Sequence, residues 1–301
     1  MDRHELLRKI TTFPLVAEGL SEDLLSGDFR SIFKGQGIEF DEVRHYERGD
    51  DVRSIDWNVS ARFGTPYVKM YREERELTVC LILDCSASMR SGGGIGELRE
   101  WGDRDAVSRF DQGVLAAALT AFSAERAGQR VGAVFFGRDI TGVFSPRRGR
   151  SHIMTIISAA LRDRPAGKGS GLGAALAGTG RLLKRRSLVV IISDFLCVNW
   201  ERELEDLRRK HDVLAIGITD PMDFHLPDMG LLHMRDDETG IRLHAPTAFS
   251  SFRSAWSEWH QERRSLWKAI CRRAGIAGVE LSTAEDAALV LTHFFRGRRR
   301  L

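Results

Sequence analysis

The chain has 301 residues, with 45 Lys and Arg against 42 Asp and Glu, for a formal net charge of +3. Hydrophobic residues make up 43% and charged residues 29%, which excludes intrinsic disorder and fits a globular protein able to bury a sizeable core. The longest apolar runs, Val79–Leu83 and Leu188–Ile192, fall far short of the roughly 18–20 residues that span a bilayer, so no membrane span is expected.

The first thirteen residues, Met1–Phe13, mix acids with bases and lack an apolar stretch, so a signal peptide is not expected. Residues 1–30 are expected to be helical, with Leu6, Leu7 and Ile10 on one face. Residues 31–76 are rich in glycine and charge and end in Tyr67–Arg72, which alternates like a strand. Within them Arg44, Arg48, Arg53 and Arg62 face Glu42, Glu47, Asp50, Asp51 and Asp56. We read these as an ion-paired layer with Trp57 as its apolar anchor; a recognition surface is the other reading. Residues 1–76 thus form an N-terminal helical and charged β-rich region, and residues 77–301 the main domain.

In that domain Val79–Asp84, Val189–Asp194 and Val213–Thr219 are continuous apolar runs, the pattern of parallel strands covered on both faces, and Val131–Phe136 is a fourth candidate. Helical spacing lies between them, over about 105–127, around Ile153–Leu161, from Leu172 to Leu183, and at Leu204 and Leu207. This alternation predicts an α/β fold with a doubly wound, mostly parallel sheet. Leu231–Met234 and Ile241–His244 flank Asp236–Gly240, which predicts a β-hairpin insertion at about 228–246. Beyond it Phe252, Trp256, Trp259, Leu266 and Ile270 sit at helical spacing, and the tryptophans are expected to fill core. The tail Arg296–Arg300 is read as a solvated end rather than a nucleic-acid arm. The four cysteines form no C-x-x-C pair, as expected of reduced thiols in a cytoplasmic protein.

Chemistry concentrates where strands end. The first buried strand runs into Asp84-Cys-Ser86-Ala-Ser88, a D-x-S-x-S pattern, and the strand Val189–Asp194 ends in a second carboxylate. Ligands in open α/β sheets bind beyond the carboxyl ends of strands, where strand order reverses. Between the two lies Gly167–Leu176, with Ser170 just before a helix; taken alone, Ser170 reads as a helix N-cap. If the two strands are neighbours across the switch point, Asp84, Ser86, Ser88, Ser170 and Asp194 can face one hard cation.

In order and context these five residues resemble the metal-ion-dependent adhesion site of von Willebrand factor A-like domains. That resemblance implies a Rossmann-type fold and a Mg2+ ion, with Mn2+ or Ca2+ as substitutes, held by Asp84, Ser86, Ser88, Ser170 and Asp194. Upstream, Gly35–Phe40, Arg44-x-Tyr46, Gly49–Asp51, Arg53-x-Ile-Asp-Trp57 and Ser60–Arg62 resemble a narrower group, domain-of-unknown-function family fifty-eight, whose members accompany MoxR-type AAA+ ATPases. The resemblance covers roughly residues 31–300. It departs from the wider pattern at Ser170, where Thr is usual, at Gly171, where an Asp often follows, and in the long loop Arg90–Asp103.

The expected function is therefore a non-enzymatic, magnesium-dependent interaction module. It would serve as adaptor or co-chaperone to a MoxR-type AAA+ ATPase or to other von Willebrand factor A-like proteins, with the ion bridging to a partner's carboxylate. The alternative is a magnesium-dependent phosphoester hydrolase. Against an enzyme, Ser86 stands where a D-x-D-x-T phosphatase needs its second Asp, and there is no G-x-x-x-x-G-K-[ST], H-E-x-x-H or G-x-S-x-G. His225, His233 and His244, with Asp223 and Asp228, are read as surface residues rather than a second metal site.

Overall fold

A computed structural model describes residues 39–47, 50–51, 54–72, 77–90, 107–162, 169–235 and 242–297. The expected helix in residues 1–30, the motif residues Gly35–Ile38, Arg48, Gly49 and Arg53, most of the loop Arg90–Asp103, the hairpin turn Asp236–Gly240 and the end of the basic tail lie outside the described residues. The described residues fall into two compact units, one within Lys34–Glu76 and the other from Leu77 onward.

The smaller unit pairs β1 (Glu39–His45) with β2 (Tyr67–Arg72) in antiparallel fashion around α1 (Trp57–Phe63). Asp56 caps α1 by accepting from the amides of Asn58 (3.0 Å) and Val59 (3.2 Å). Gly64 ends the helix at a φ of 70°, which a side chain would strain. Of the expected ion pairs, Arg44–Asp50 forms at 2.6 Å. Trp57 is no apolar anchor: as the first helical residue after its cap, it is 68% exposed.

The larger unit is built on a six-stranded sheet in the order β10-β7-β6-β3-β4-β5. Its strands are β3 (Thr78–Asp84), β4 (Arg130–Phe136), β5 (Ile140–Arg147), β6 (Leu188–Ser193), β7 (Asp212–Thr219) and β10 (Ala277–Ser282). Every pairing is parallel except β4 with β5. Successive residues of β3 point to opposite faces. Val79, Leu81 and Leu83 pack in the core beneath α2 (Arg109–Arg126), α3 (Arg150–Arg162) and α8 (Ala287–Gly297). Cys80 and Ile82 join α4 (Leu172–Leu182), α5 (Glu201–Lys210) and α7 (Ser250–Arg273) on the other face. Two covered faces explain why these strands are apolar throughout instead of alternating.

The hairpin forms from β8 (Leu231–Arg235) and β9 (Arg242–Pro246). It follows the short α6 (Pro221–Phe224), which Asp220 and Asp223 close with a reciprocal capping box. On α7 the buried stripe is His260, Trp267, Ile270 and Cys271, positions that return to one face at helical spacing. Trp259 and Leu266 share a different face and are 48% and 56% exposed. Trp256 is half-buried, its Nε1 donating to Met222 O at 2.9 Å, and the buried tryptophan of this helix is Trp267, which was not among those expected.

Candidate functional site

From β3 the chain continues into β4 and β5 on one side of the sheet. It then returns to β6, β7 and β10 on the other, so strand order reverses between β3 and β6. The crevice beyond the carboxyl ends of those two neighbours is the place where such a sheet leaves room for a ligand.

Asp84, the last residue of β3, is fully buried. Its Oδ1 accepts the Ser86 amide at 2.8 Å, which folds the chain sharply after the strand. Its Oδ2 accepts the Ser193 hydroxyl at 2.6 Å, joining β6 to β3 across the switch point. Ser86 and Ser88 lie with their hydroxyl oxygens 3.1 Å apart, Ser88 opening a single 3-10 turn, Ser88–Arg90. Asp194 follows β6, and its Oδ1 accepts the Leu196 amide at 3.0 Å. Its other oxygen, Oδ2, is buried without a protein hydrogen-bond partner, and Ser170 Oγ, at the start of α4, is buried with only the Cys197 thiol, a weak partner, beside it. The N-cap position there belongs to Gly171, and no side chain caps the helix. The hydroxyl of Ser170 is therefore not used as a cap.

Electrostatics tie these residues together. Burial, followed by the charge of Asp194, pushes the Asp84 carboxyl up to about 7, while hydrogen bonds from Ser193 and Ser86 pull it back. Burial pushes the neighbouring Cys197 thiol up to about 12; the Ser170 hydroxyl acts the other way, and Asp84 and Asp194 add to the rise. Asp84, Ser170 and Asp194 thus all act on one thiol, although Ser170 and Asp194 come from separate loops.

The set fits a hard divalent cation. Its donors are two carboxylates and three hydroxyls, the oxygen ligands that Mg2+ takes. The unpartnered buried oxygen of Asp194 costs about 1–3 kcal/mol, and the charge of Asp194 acting on buried Asp84 adds to it; a cation would relieve both. Among the described residues no group of three or more His, Cys, Asp or Glu gathers in a way that could hold a metal. His225, His233 and His244 are exposed as expected.

Gly171 explains one departure from the wider pattern. Its amide donates to Gly137 O at 2.6 Å, and a Cβ there would stand 2.1 Å from Arg138 O. No Asp fits unless the loop between β4 and β5 retreats. Gly171→Asp should therefore destabilise the protein by about 1–3 kcal/mol and weaken cation binding instead of strengthening it; urea melts and Mg2+ titration of the variant check this.

Two neighbours were not assigned from sequence. Ser193 was visible as the residue before Asp194, and only the pairing of β6 with β3 reveals its bond to Asp84. The second is a buried ion pair. Arg109 at the start of α2 donates to the Asp223 carboxylate, and its Nη1 lies 3.5 Å from Ser88 O. Asp223, expected at the surface, is 9% exposed at its side chain because the capping box turns it inward onto that guanidinium. His260 Nδ1 stands 3.8 Å from the same carboxylate. Burial and the charges of Arg109 and Arg263 push His260 down to about 4, against the pull of Asp194.

The profile of the family described as "Protein of unknown function DUF58" matches residues 42–266. A Mycobacterium tuberculosis relative, "Uncharacterized protein Rv1480", is 32% identical over 303 aligned positions, covering 100% of this chain and 92% of the relative. A Mycobacterium avium relative, "Uncharacterized protein MAV169", is 32% identical over 157 positions, covering 51% of this chain and 92% of its own. Among solved structures, the conserved hypothetical protein BatB from Bacteroides thetaiotaomicron aligns at 14% identity and a TM-score of 0.48, over 75% of this chain and 100% of that one. An aerotolerance-related membrane protein from Bacteroides fragilis aligns at 14% identity and a TM-score of 0.47, with the same coverage. In this chain no described helix is long and apolar enough to cross a membrane.

Proposed function

Since the chain belongs to the DUF58 family, we propose that its larger unit is a von Willebrand factor A-like domain working as a non-enzymatic, magnesium-dependent interaction module in the cytoplasm. Its partner would be a MoxR-type AAA+ ATPase or another A-like protein. Asp84, Ser86, Ser88, Ser170 and Asp194 would hold the ion, with Mn2+ or Ca2+ as substitutes. One observation carries the reading: at the ends of neighbouring strands the charge of Asp194 acts on the buried Asp84 carboxyl, and Asp194 Oδ2 is buried without a protein partner.

A bound cation would supply an electrophilic position for a partner's carboxylate. The protein's own residues do the rest. Ser193 and the Ser86 amide fix the two oxygens of Asp84, so that carboxylate is oriented before any ion arrives. The Leu196 amide fixes one oxygen of Asp194 and leaves the other unclaimed. Full burial of Asp84 suits a residue that holds and orients better than one that attacks a substrate, which favours the binding module over a phosphoester hydrolase.

A pull-down with the cognate ATPase should succeed in Mg2+, fail in EDTA, and fail in Mg2+ with Asp194→Ala. Retention that ignores both chelator and substitution would reject the metal bridge.

A further inference from the structure

On α7, Gln261, Arg264, Ser265 and Lys268 recur at the spacing of one helical face. Together with Phe224 and His225 they wall a cavity of about 420 Å3. A smaller space of about 40 Å3 is lined by Asp194, Phe195, Arg263 and Glu280 among others. Phe224 and Arg264 belong to both walls, so the two spaces adjoin, one beside Asp194 and the other reaching Lys268.

Asp194, Asp223 and Glu280 line the smaller space with Arg263 and Arg264, Asp223 being paired with Arg109, whereas the larger space has Arg264 and Lys268 and no carboxylate in its wall. Arg264 and Lys268 share a single carboxylate, Glu280, with Arg264 Nη2 at 2.8 Å and Lys268 Nζ at 2.6 Å from Oε2. Arg263 adds a third cation, whose Nη2 donates to the peptide oxygens of Leu196 and, at 3.1 Å, Cys197. Peptide oxygens carry no net charge, so this guanidinium keeps its own. The Arg264 guanidinium lies over the Phe224 ring at 5.2 Å, which holds it along the wall instead of extended into solvent. Partly exposed cations with one shared counter-ion attract anions and set partner choice more than raw affinity.

We propose that this groove docks an acidic segment of a partner protein. One of its carboxylates reaches the cation site at Asp84 and Asp194, and further carboxylates engage Arg264 and Lys268. The proposal rests on the interaction-module reading above and gives that partner its chemistry: a cluster of acidic residues in place of a lone Asp or Glu.

The test is fluorescence anisotropy of a short fluorescein-labelled poly-Glu peptide with the full chain. In Mg2+ the peptide should bind, and a poly-Gln peptide of equal length should not. Arg264→Gln with Lys268→Gln should weaken binding about tenfold. Glu280→Gln, which removes the competing carboxylate, should tighten it about threefold or more. Arg209→Gln with Lys210→Gln, on α5, should change nothing. The Glu280 variant keeps the test decisive if the double variant folds poorly. Three results overturn the groove: no binding to the wild type, equal affinity in wild type and both groove variants, or full displacement by millimolar inorganic phosphate, the mark of a small-anion site. Binding that needs Arg264 and Lys268 but ignores EDTA and Asp84→Asn would keep the groove and remove the metal bridge. Dependence on Mg2+ and Asp84 without dependence on the cations would do the reverse.

Discussion

Asp84→Asn should make the metal-free protein more stable above neutral pH while abolishing its response to Mg2+. The amide keeps the shape of the carboxylate: one oxygen still accepts the Ser86 amide, and its nitrogen can donate to Ser193 Oγ once that hydroxyl rotates. What disappears is a buried charge facing Asp194. With a folded pKa of about 7 against an ordinary 3.8, the folded chain binds more protons than the unfolded one between those values. Stability of the wild type in EDTA should therefore fall as pH rises through that window, by a few kcal/mol in all, and level off above it. The variant should lack this fall. In Mg2+ at a hundred times its dissociation constant the wild type should regain about 2.7 kcal/mol and the variant nothing. Thermal melts across pH, with and without Mg2+, measure all four states; equal stabilisation of both proteins by Mg2+ would count against the assigned ligands.

Asp223→Ala should cost about 3–5 kcal/mol, since it removes the carboxylate that faces a guanidinium itself only 8% exposed at its side chain. Because Arg109 also reaches Ser88 O, the loss should loosen the turn that carries Ser86 and Ser88. Replacing both partners, as Arg109→Met with Asp223→Leu, should recover most of the stability, because the desolvated charge leaves with its counterpart. Urea unfolding of the three proteins decides it. A single variant within 1 kcal/mol of the wild type would show that water reaches this pair freely.

The contrast between these two sites shows what a sequence can reveal. Strands β3, β4, β6 and β7 were legible because burial on both faces leaves little but Val, Ile, Leu and Ala, which local reading detects. Edge strands were not. β5 alternates exposed and half-covered residues and carries Pro146, tolerable at an edge, and β10 mixes Gly278 and Glu280 among its apolar residues. Asp84, Ser86 and Ser88 announced themselves because one turn holds all three. Ser170 and Asp194 joined them only on the condition that the two strands are neighbours, since the strand order that brings β6 beside β3 is not written in any local pattern. Arg109 and Asp223 lie 114 positions apart with no motif around either, so only the folded chain could pair them.

The backbone beside Asp194 has a further consequence. Phe195 sits at a φ of 53°, a left-handed conformation that costs a bulky residue about 1–2 kcal/mol and is natural only to glycine. Its amide is held by Ser193 Oγ at 3.0 Å, and its ring is wedged against Trp200 and Trp267. The peptide can relax to an extended shape only by pulling the ring out of that aromatic slot. The direction in which Asp194 points is thus locked by aromatic packing on the face of the sheet that carries α4, α5 and α7, and a lever that shifted Trp267 would turn the carboxylate.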